Sequence, residues 1–212
     1  MRSLIFPAIF ALLLASCTQT DKKLPILGPR EPVEKVVDGK TVVDTLYQTI
    51  PPFRFLNQDS TVITNKDFDG KIYVADFFFT SCTAICPIMH RNMLNVYEEF
   101  KGNEEVKLIS HSIDSKYDLP YRLKKYSNKL GIEGTQWEFV HGTREEVYGI
   151  AQKAYLTSVG EDNNAPGGLI HEGWFVLVDK DKRLRGAYDG TDEKQVEQLI
   201  ADMHTLLKEY EN

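Results

Sequence analysis

Two thiols four residues apart are the most reactive feature of this chain. They lie in Cys82-Thr83-Ala84-Ile85-Cys86, where an apolar run from Ile72 to Phe79 gives way to residues at helical spacing. At i and i+4 of a helix two side chains share a face, so both sulfurs can reach one ion or each other. A helix N-terminus favours thiolate, the nucleophilic and metal-binding form, and Pro87 suits a first helical turn. The spacing is C-x-x-x-C, one residue longer than the usual C-x-x-C redox pair, and two sulfurs leave a soft metal room for a third ligand. His171, 85 residues beyond Cys86, is the leading candidate. Two thiolates and an imidazole suit one copper ion per chain: sulfur favours Cu(I), and the nitrogen can also hold Cu(II). Structural zinc normally takes a fourth protein ligand. A dithiol–disulfide couple at the same sulfurs stays open beside the metal reading.

The elements that must position these residues follow from periodicity. Residues 53–64 (FRFLNQDSTVIT) read as a β-hairpin turning at Asn57-Gln58-Asp59-Ser60. Ile72 to Phe79 reads as a strand buried on both faces. Ile85, Met89, Met93, Val96 and Phe100 recur at steps of four, four, three and four, a single helical stripe. A strand over Val106–Ile113, a helix over Leu119–Leu130 stopped by Gly131, a strand over Trp137–Val140 and a helix over Thr143–Ala154 come next. Residues 157–168 (TSVGEDNNAPGG) read as a polar, glycine-rich loop, and His171 begins a strand over 170–178 with a hairpin partner at Leu184–Tyr188. The last helix carries Val196, Leu199, Ile200, Met203, Leu206 and Leu207 on one face. Thr191 is its expected cap, with Asp192 and Glu193 at its positive end. This order predicts an α/β fold. It resembles a thioredoxin-like core: a central mixed β-sheet flanked by helices, with an N-terminal β-hairpin and extra elements.

The N-terminus reads as an address. Met1-Arg2 is followed by an apolar run from Leu4 to Ala15, shorter than the ~20 apolar residues that span a bilayer. Leu14-Ala15-Ser16-Cys17 resembles a bacterial lipobox, in which Cys17 takes a diacylglyceryl group and becomes the mature N-terminus. Residues 1–16 are then a signal peptide, 17–45 a flexible tether rich in Pro and charge, and 46–212 one domain. The protein is expected to be exported and lipid-anchored at the cell envelope, facing the periplasm in a Gram-negative cell. Of 212 residues, 42% are hydrophobic and 26% charged, the balance of a globular domain. A net charge of -6 argues against nucleic acid as a partner, and three cysteines do not make a disulfide scaffold.

Among the other histidines, His90 lies four residues beyond Cys86 but roughly 6 Å farther along the helix, which makes it a weaker ligand candidate. His111 reads as a hydrogen-bonded core histidine, and His141 and His204 as loop and surface positions. Met89 and Met93 fit the core stripe.

The motifs resemble the Sco/SenC family, thioredoxin-like copper proteins of cytochrome c oxidase assembly. Phe79-Thr80-Ser81-Cys82-Thr83-Ala84-Ile85-Cys86-Pro87 is similar to the family's F-T-x-C-P-x-x-C-P. Ser112-Ile113-Asp114 with Asp118-Leu119-Pro120 is similar to S-x-D-P…D-T-P, and Trp137-Glu138-Phe139-Val140-His141-Gly142 to W-x-x-L-T-G. His171 falls where the family's ligand histidine precedes a strand. Thr83, Ser115 and Ile170 stand where the family usually has Pro, Pro and Asp. The resemblance implies copper on Cys82, Cys86 and His171, delivered to an oxidase subunit or exchanged with other periplasmic copper or thiol-redox proteins. The alternative is an oxidoreductase that keeps acceptor cysteines reduced. A peroxidase reading lacks the P-x-x-x-[ST]-x-x-C segment. Ala75-Asp76-Phe77-Phe78 resembles the thioredoxin V-D-F-W strand. Burial raises a carboxyl's pKa, so Asp76 is either a proton relay for thiol–disulfide exchange or the partner of a polar neighbour.

Overall fold

The structure, a computed structural model, describes residues 23–211. Residues 1–16, read as a signal peptide, and Cys17 lie outside the described residues. Seven strands form one mixed sheet: β3 (Arg54–Asn57), β4 (Val62–Thr64), β5 (Ile72–Phe78), β6 (Val106–Ser112), β7 (Trp137–His141), β10 (Trp174–Val178) and β11 (Leu184–Asp189). Their order is β11-β10-β5-β6-β7-β3-β4. β5, β6 and β7 run parallel, and the outer strands join antiparallel. Helices α1 (Cys86–Glu99), α2 (Pro120–Lys129), α3 (Arg144–Lys153) and α4 (Glu193–Glu209) complete the layers, with α1 packed on α4. Every residue of β5 is buried, as expected of a central parallel strand covered on both faces. The thioredoxin-like expectation holds.

Three local readings are corrected. Residues 157–168 are not all loop: β8 (Val159–Glu161) pairs antiparallel with β9 (Leu169–His171), which is separate from β10. Asp192, not Thr191, caps α4, its side chain accepting from the Lys194 N–H. The stretch read as a tether is ordered from Leu24 onward. β1 (Arg30–Val37) and β2 (Lys40–Tyr47) form a ribbon closed by Asp38-Gly39, with φ of 52° and 75°. Those left-handed angles are what a two-residue type I′ hairpin demands, and Asp-Gly supplies them cheaply. Pro and charge suggested a coil, but the Asp-Gly pair between valine-rich segments was the better signal.

His111 departs from its reading in another way. It is fully buried on β6, and neither ring nitrogen has a hydrogen-bond partner. Rings surround it instead, with Phe77, Phe55 and Tyr155 centred 5.0, 5.2 and 5.5 Å away. Burial penalises the imidazolium and pushes its pKa down to about 3. Unfolded, the same side chain takes a proton near pH 6.5. Below that pH the unfolded state binds more protons, so stability falls as pH falls, by up to about 1.4 kcal/mol per unit from this group. Denaturant unfolding at pH 7.5 and 5 is expected to show a smaller loss of stability for His111→Leu than for the unsubstituted protein. Equal losses would refute the assignment.

Candidate metal centre

β5 delivers the chain to the site. After Phe78 the backbone turns, with the Cys82 N–H donating to the Phe79 carbonyl at 3.1 Å, and α1 begins at Cys86. No side chain caps α1; its Cys86 N–H and the backbone of the preceding turn serve the sulfurs instead, while the Ile88 and Met89 N–H groups donate to the Ile85 carbonyl. The N–H groups of Ala84 and Cys86 point at the Cys82 sulfur, and that of Phe79 at Cys86. The turn is gripped from the side. Asp118 accepts the Thr80 N–H at 2.8 Å, the Thr80 hydroxyl, and the Ser112 hydroxyl at 2.7 Å. Asp118 is fully buried, and burial raises its pKa against the pull of those bonds. Asp118 entered above only as part of a motif; its role in holding the thiol turn comes from the fold.

His171 arrives on the β8–β9 arm, paired with Val159. Its Nδ1 lies 3.2 Å from the Glu172 carbonyl, and its Nε2 3.0 Å from Cys86 Sγ. Nδ1 toward that carbonyl aims Nε2 at the sulfurs, the orientation a metal-ligating imidazole needs. Phe79 stands edge-on to the His171 ring at 6.0 Å. Gly167, at φ +83°, lets the loop pass over Phe79, since a Cβ there would lie 2.8 Å from the ring. Sγ of Cys82, Sγ of Cys86 and a ring nitrogen of His171 all lie within 4.8 Å of one another. Cys86 is buried, Cys82 half-buried, and both are free thiols.

The two thiols are electrostatically unequal. Hydrogen bonding from Cys86, helped by His171 and the backbone N–H groups, holds the Cys82 pKa down to about 4 although burial opposes it. Sharing its proton with Cys82, together with burial, drives Cys86 strongly upward. One thiolate, one thiol and one imidazole therefore face a common point. A soft cation held there would take the place of the single shared proton.

The remaining candidates are placed elsewhere. Asp76 is fully buried and accepts the Ser110 hydroxyl at 2.5 Å. Its other oxygen lies 3.0 Å from His90 Nε2, and His90 Nδ1 lies 2.8 Å from the Tyr126 hydroxyl. Trp137 Nε1 donates to Ser110 at 2.9 Å. Both nitrogens of His90 are thus engaged in a core network, outside the Cys–Cys–His group. His204 pairs with Glu99 at the surface, and Met89 and Met93 are core residues.

A mixed, thioredoxin-like sheet with two sulfurs and an imidazole converging at the start of its first long helix defines a thioredoxin-fold protein with a dithiol–histidine centre. The SCO1/SenC family profile matches residues 43–208, and the chain belongs to that family. It is 31% identical over 171 residues to the SCO1 protein homolog of Bacillus subtilis, covering 78% of this chain and 86% of that one. Among solved structures, a SCO1/SenC family lipoprotein from Bacillus anthracis matches with a TM-score of 0.70 at 30% identity, over 76% of this chain and 96% of the other. BsSco, described as a Sco-family cytochrome c oxidase assembly protein with a disulfide switch, matches at 0.66 and 28% identity, over 76% and 94%. ScoI of Bradyrhizobium japonicum, solved with copper bound, shares the fold at 0.61 and 21% identity, over 74% and 99%.

The thiol asymmetry has a direct readout. Thiolate ultraviolet absorbance of the reduced, metal-free protein is expected to persist down to about pH 5 and vanish around pH 4, where an ordinary thiol loses it near pH 8.5. Cys86→Ala is expected to move that midpoint up by at least about one unit. A wild-type midpoint near 8.5 would refute the arrangement.

Proposed function

We propose that this protein binds one copper ion through Cys82, Cys86 and His171 and delivers it to a subunit of a cytochrome c oxidase during assembly. The observation that carries this reading is the convergence of the three donor atoms within 4.8 Å. Two sulfurs with one nitrogen suit Cu(I) and tolerate Cu(II), and Sco relatives support both the metal and the oxidase. The site's neighbourhood suits transfer to another protein. Ile88, Tyr117, Leu119, Ile170 and Trp174 are exposed apolar residues close in sequence to Cys86, to the Asp118 clamp or to His171. A half-buried Cys82 can be exchanged for an acceptor's ligand while Cys86 and His171 still hold the ion.

Anaerobic titration of copper against a competing chelator tests this reading. One tight equivalent is expected for the reduced protein, weakened at least tenfold by His171→Ala, a loss of about 1.4 kcal/mol or more. Absence of tight copper, or binding indifferent to His171, would refute the three-ligand site.

A second activity at the same sulfurs is thiol–disulfide exchange, favoured by the depressed Cys82 pKa. The Cys82 thiolate attacks an acceptor disulfide and forms a mixed disulfide. Cys86 loses its proton and displaces the acceptor's second sulfur, so the acceptor leaves as a dithiol and Cys82–Cys86 as a disulfide. Asp76, with His90 beside it, is proposed to take the Cys86 proton. Asp76→Asn is expected to slow the second step severalfold between about pH 6 and 9. Unchanged rates would remove the relay.

We further place the protein outside the cytoplasmic membrane, held by a diacylglyceryl group on Cys17. The lipobox-like sequence before Cys17 and a lipoprotein relative support this. No helix among the described residues is long and apolar enough to cross a membrane.

A further inference from the structure

We infer that the domain sits on the bilayer in one orientation, with the β1–β2 ribbon as its lipid contact and the metal centre at the far end. The inference rests on Cys17 being the lipid anchor and adds what that anchor does to the domain.

The chain docks almost as soon as it leaves the anchor. The Leu24 N–H donates to Glu209 at 2.6 Å, and the carbonyls of Leu24 and Pro25 accept from Arg185 at 2.7 and 3.1 Å. The Leu27 N–H donates to the Leu184 carbonyl at 2.8 Å. Arg185 is 4% exposed, and its other contacts are to the fully buried Asp179 at 3.1 Å and the partly buried Glu209 at 2.7 Å. A buried guanidinium with so many committed donors is costly to disengage, so the strap is part of the domain.

The strap's location follows from the topology. Asp179 and Leu184 bound the turn between β10 and β11, and Glu209 ends α4. The metal centre is at the other end of the same elements: His171 precedes β10, and Gly173 meets Gly190 just before α4 begins. The five residues of β10 span roughly 17 Å and the seventeen of α4 roughly 25 Å. From Cys17 to Leu24 there are only seven peptide steps, a reach of about 25 Å fully extended. A leash that short keeps the strap end near the bilayer.

The ribbon rises from the same end. The Gln48 N–H donates to the Pro29 carbonyl and the Ile50 N–H to the Lys182 carbonyl, closing its base beside the strap. Its residues are exposed on both faces, including Val36, Val37, Val42, Val43 and Leu46. A lone two-stranded ribbon is marginal in water unless something covers a face. Three cations (Arg30, Lys35, Lys40) against four anions (Glu31, Glu34, Asp38, Asp44) leave no strong field for an oppositely charged partner. The apolar side chains and the leash point to the bilayer's interfacial zone as the cover.

The test uses the full-length lipidated protein on phosphatidylcholine vesicles containing nitroxide lipids. A fluorescent side chain is placed either at Leu46 on the ribbon or at Tyr121 at the metal end. Quenching at 46 is expected to exceed that at 121 at least about threefold and to be insensitive to salt. Val37→Asp with Val42→Asp, which share the exposed ribbon face of Leu46, is expected to abolish it while the protein stays vesicle-bound. Equal quenching at both positions, or none at 46 on bound protein, would overturn the orientation while leaving the anchor in place. Quenching at 46 that needs high protein density would mark the ribbon as a contact between copies and likewise overturn the lipid assignment. Mass spectrometry of the N-terminal peptide separates the two levels: no diacylglyceryl group on Cys17 would remove both anchor and orientation.

Discussion

The approach of His171 Nε2 to 3.0 Å from Cys86 Sγ is the contact on which the centre depends. It joins segments 85 residues apart in sequence, and neither segment holds its place alone. The thiols are set by the end of β5 and the uncapped start of α1, where the N–H groups of Ala84 and Cys86 face the Cys82 sulfur. The histidine is set by the short β8–β9 arm and by its own Nδ1 contact with a backbone carbonyl. A metal site needs its ligands within a few tenths of an ångström, so the rest of the molecule acts as a frame for this pair.

Much of that frame is buried polar structure that is fully paired. Asp118 fastens the thiol turn to the start of α2, and Asp76, Ser110, Trp137, His90 and Tyr126 link β5, β6, β7, α1 and α2 beneath it. Buried groups of this kind rigidify a core when every member is satisfied. His111 departs from this pattern: it is kept neutral among aromatic rings, and the lack of partners for both its nitrogens makes it a pH-sensitive weakness rather than a strut. The depressed pKa of Cys82 shows the same logic at the working end, where a single proton shared by two sulfurs keeps one of them ionised.

The metal centre and the N-terminal strap lie at opposite ends of the molecule. Copper exchange suits the rim around Cys82, and the buried Arg185 clasp fixes where the chain's N-terminal segment leaves the domain. The clasp and the centre share β10, β11 and α4 as common struts, so one frame positions both.

By itself the sequence determined the spacing of Cys82 and Cys86, their place between a buried strand and a helix, the helical stripe of α1 and the choice of His171 as the candidate third ligand. Those features are local patterns or residue chemistry, and periodicity carries them. It also contained the Asp38-Gly39 turn of the ribbon, a signal outweighed by the Pro and charge around it. Only the tertiary structure gave Asp76 its partners, by bringing His90 and Ser110 to it from different elements. It alone revealed the grip of Asp118 on Thr80, the lack of partners for His111, and the burial of Arg185 around the strap. The physical reason is the same in each case. A hydrogen bond between distant segments depends on positions set by the packing of whole layers, and neighbouring residues in the chain carry no trace of it.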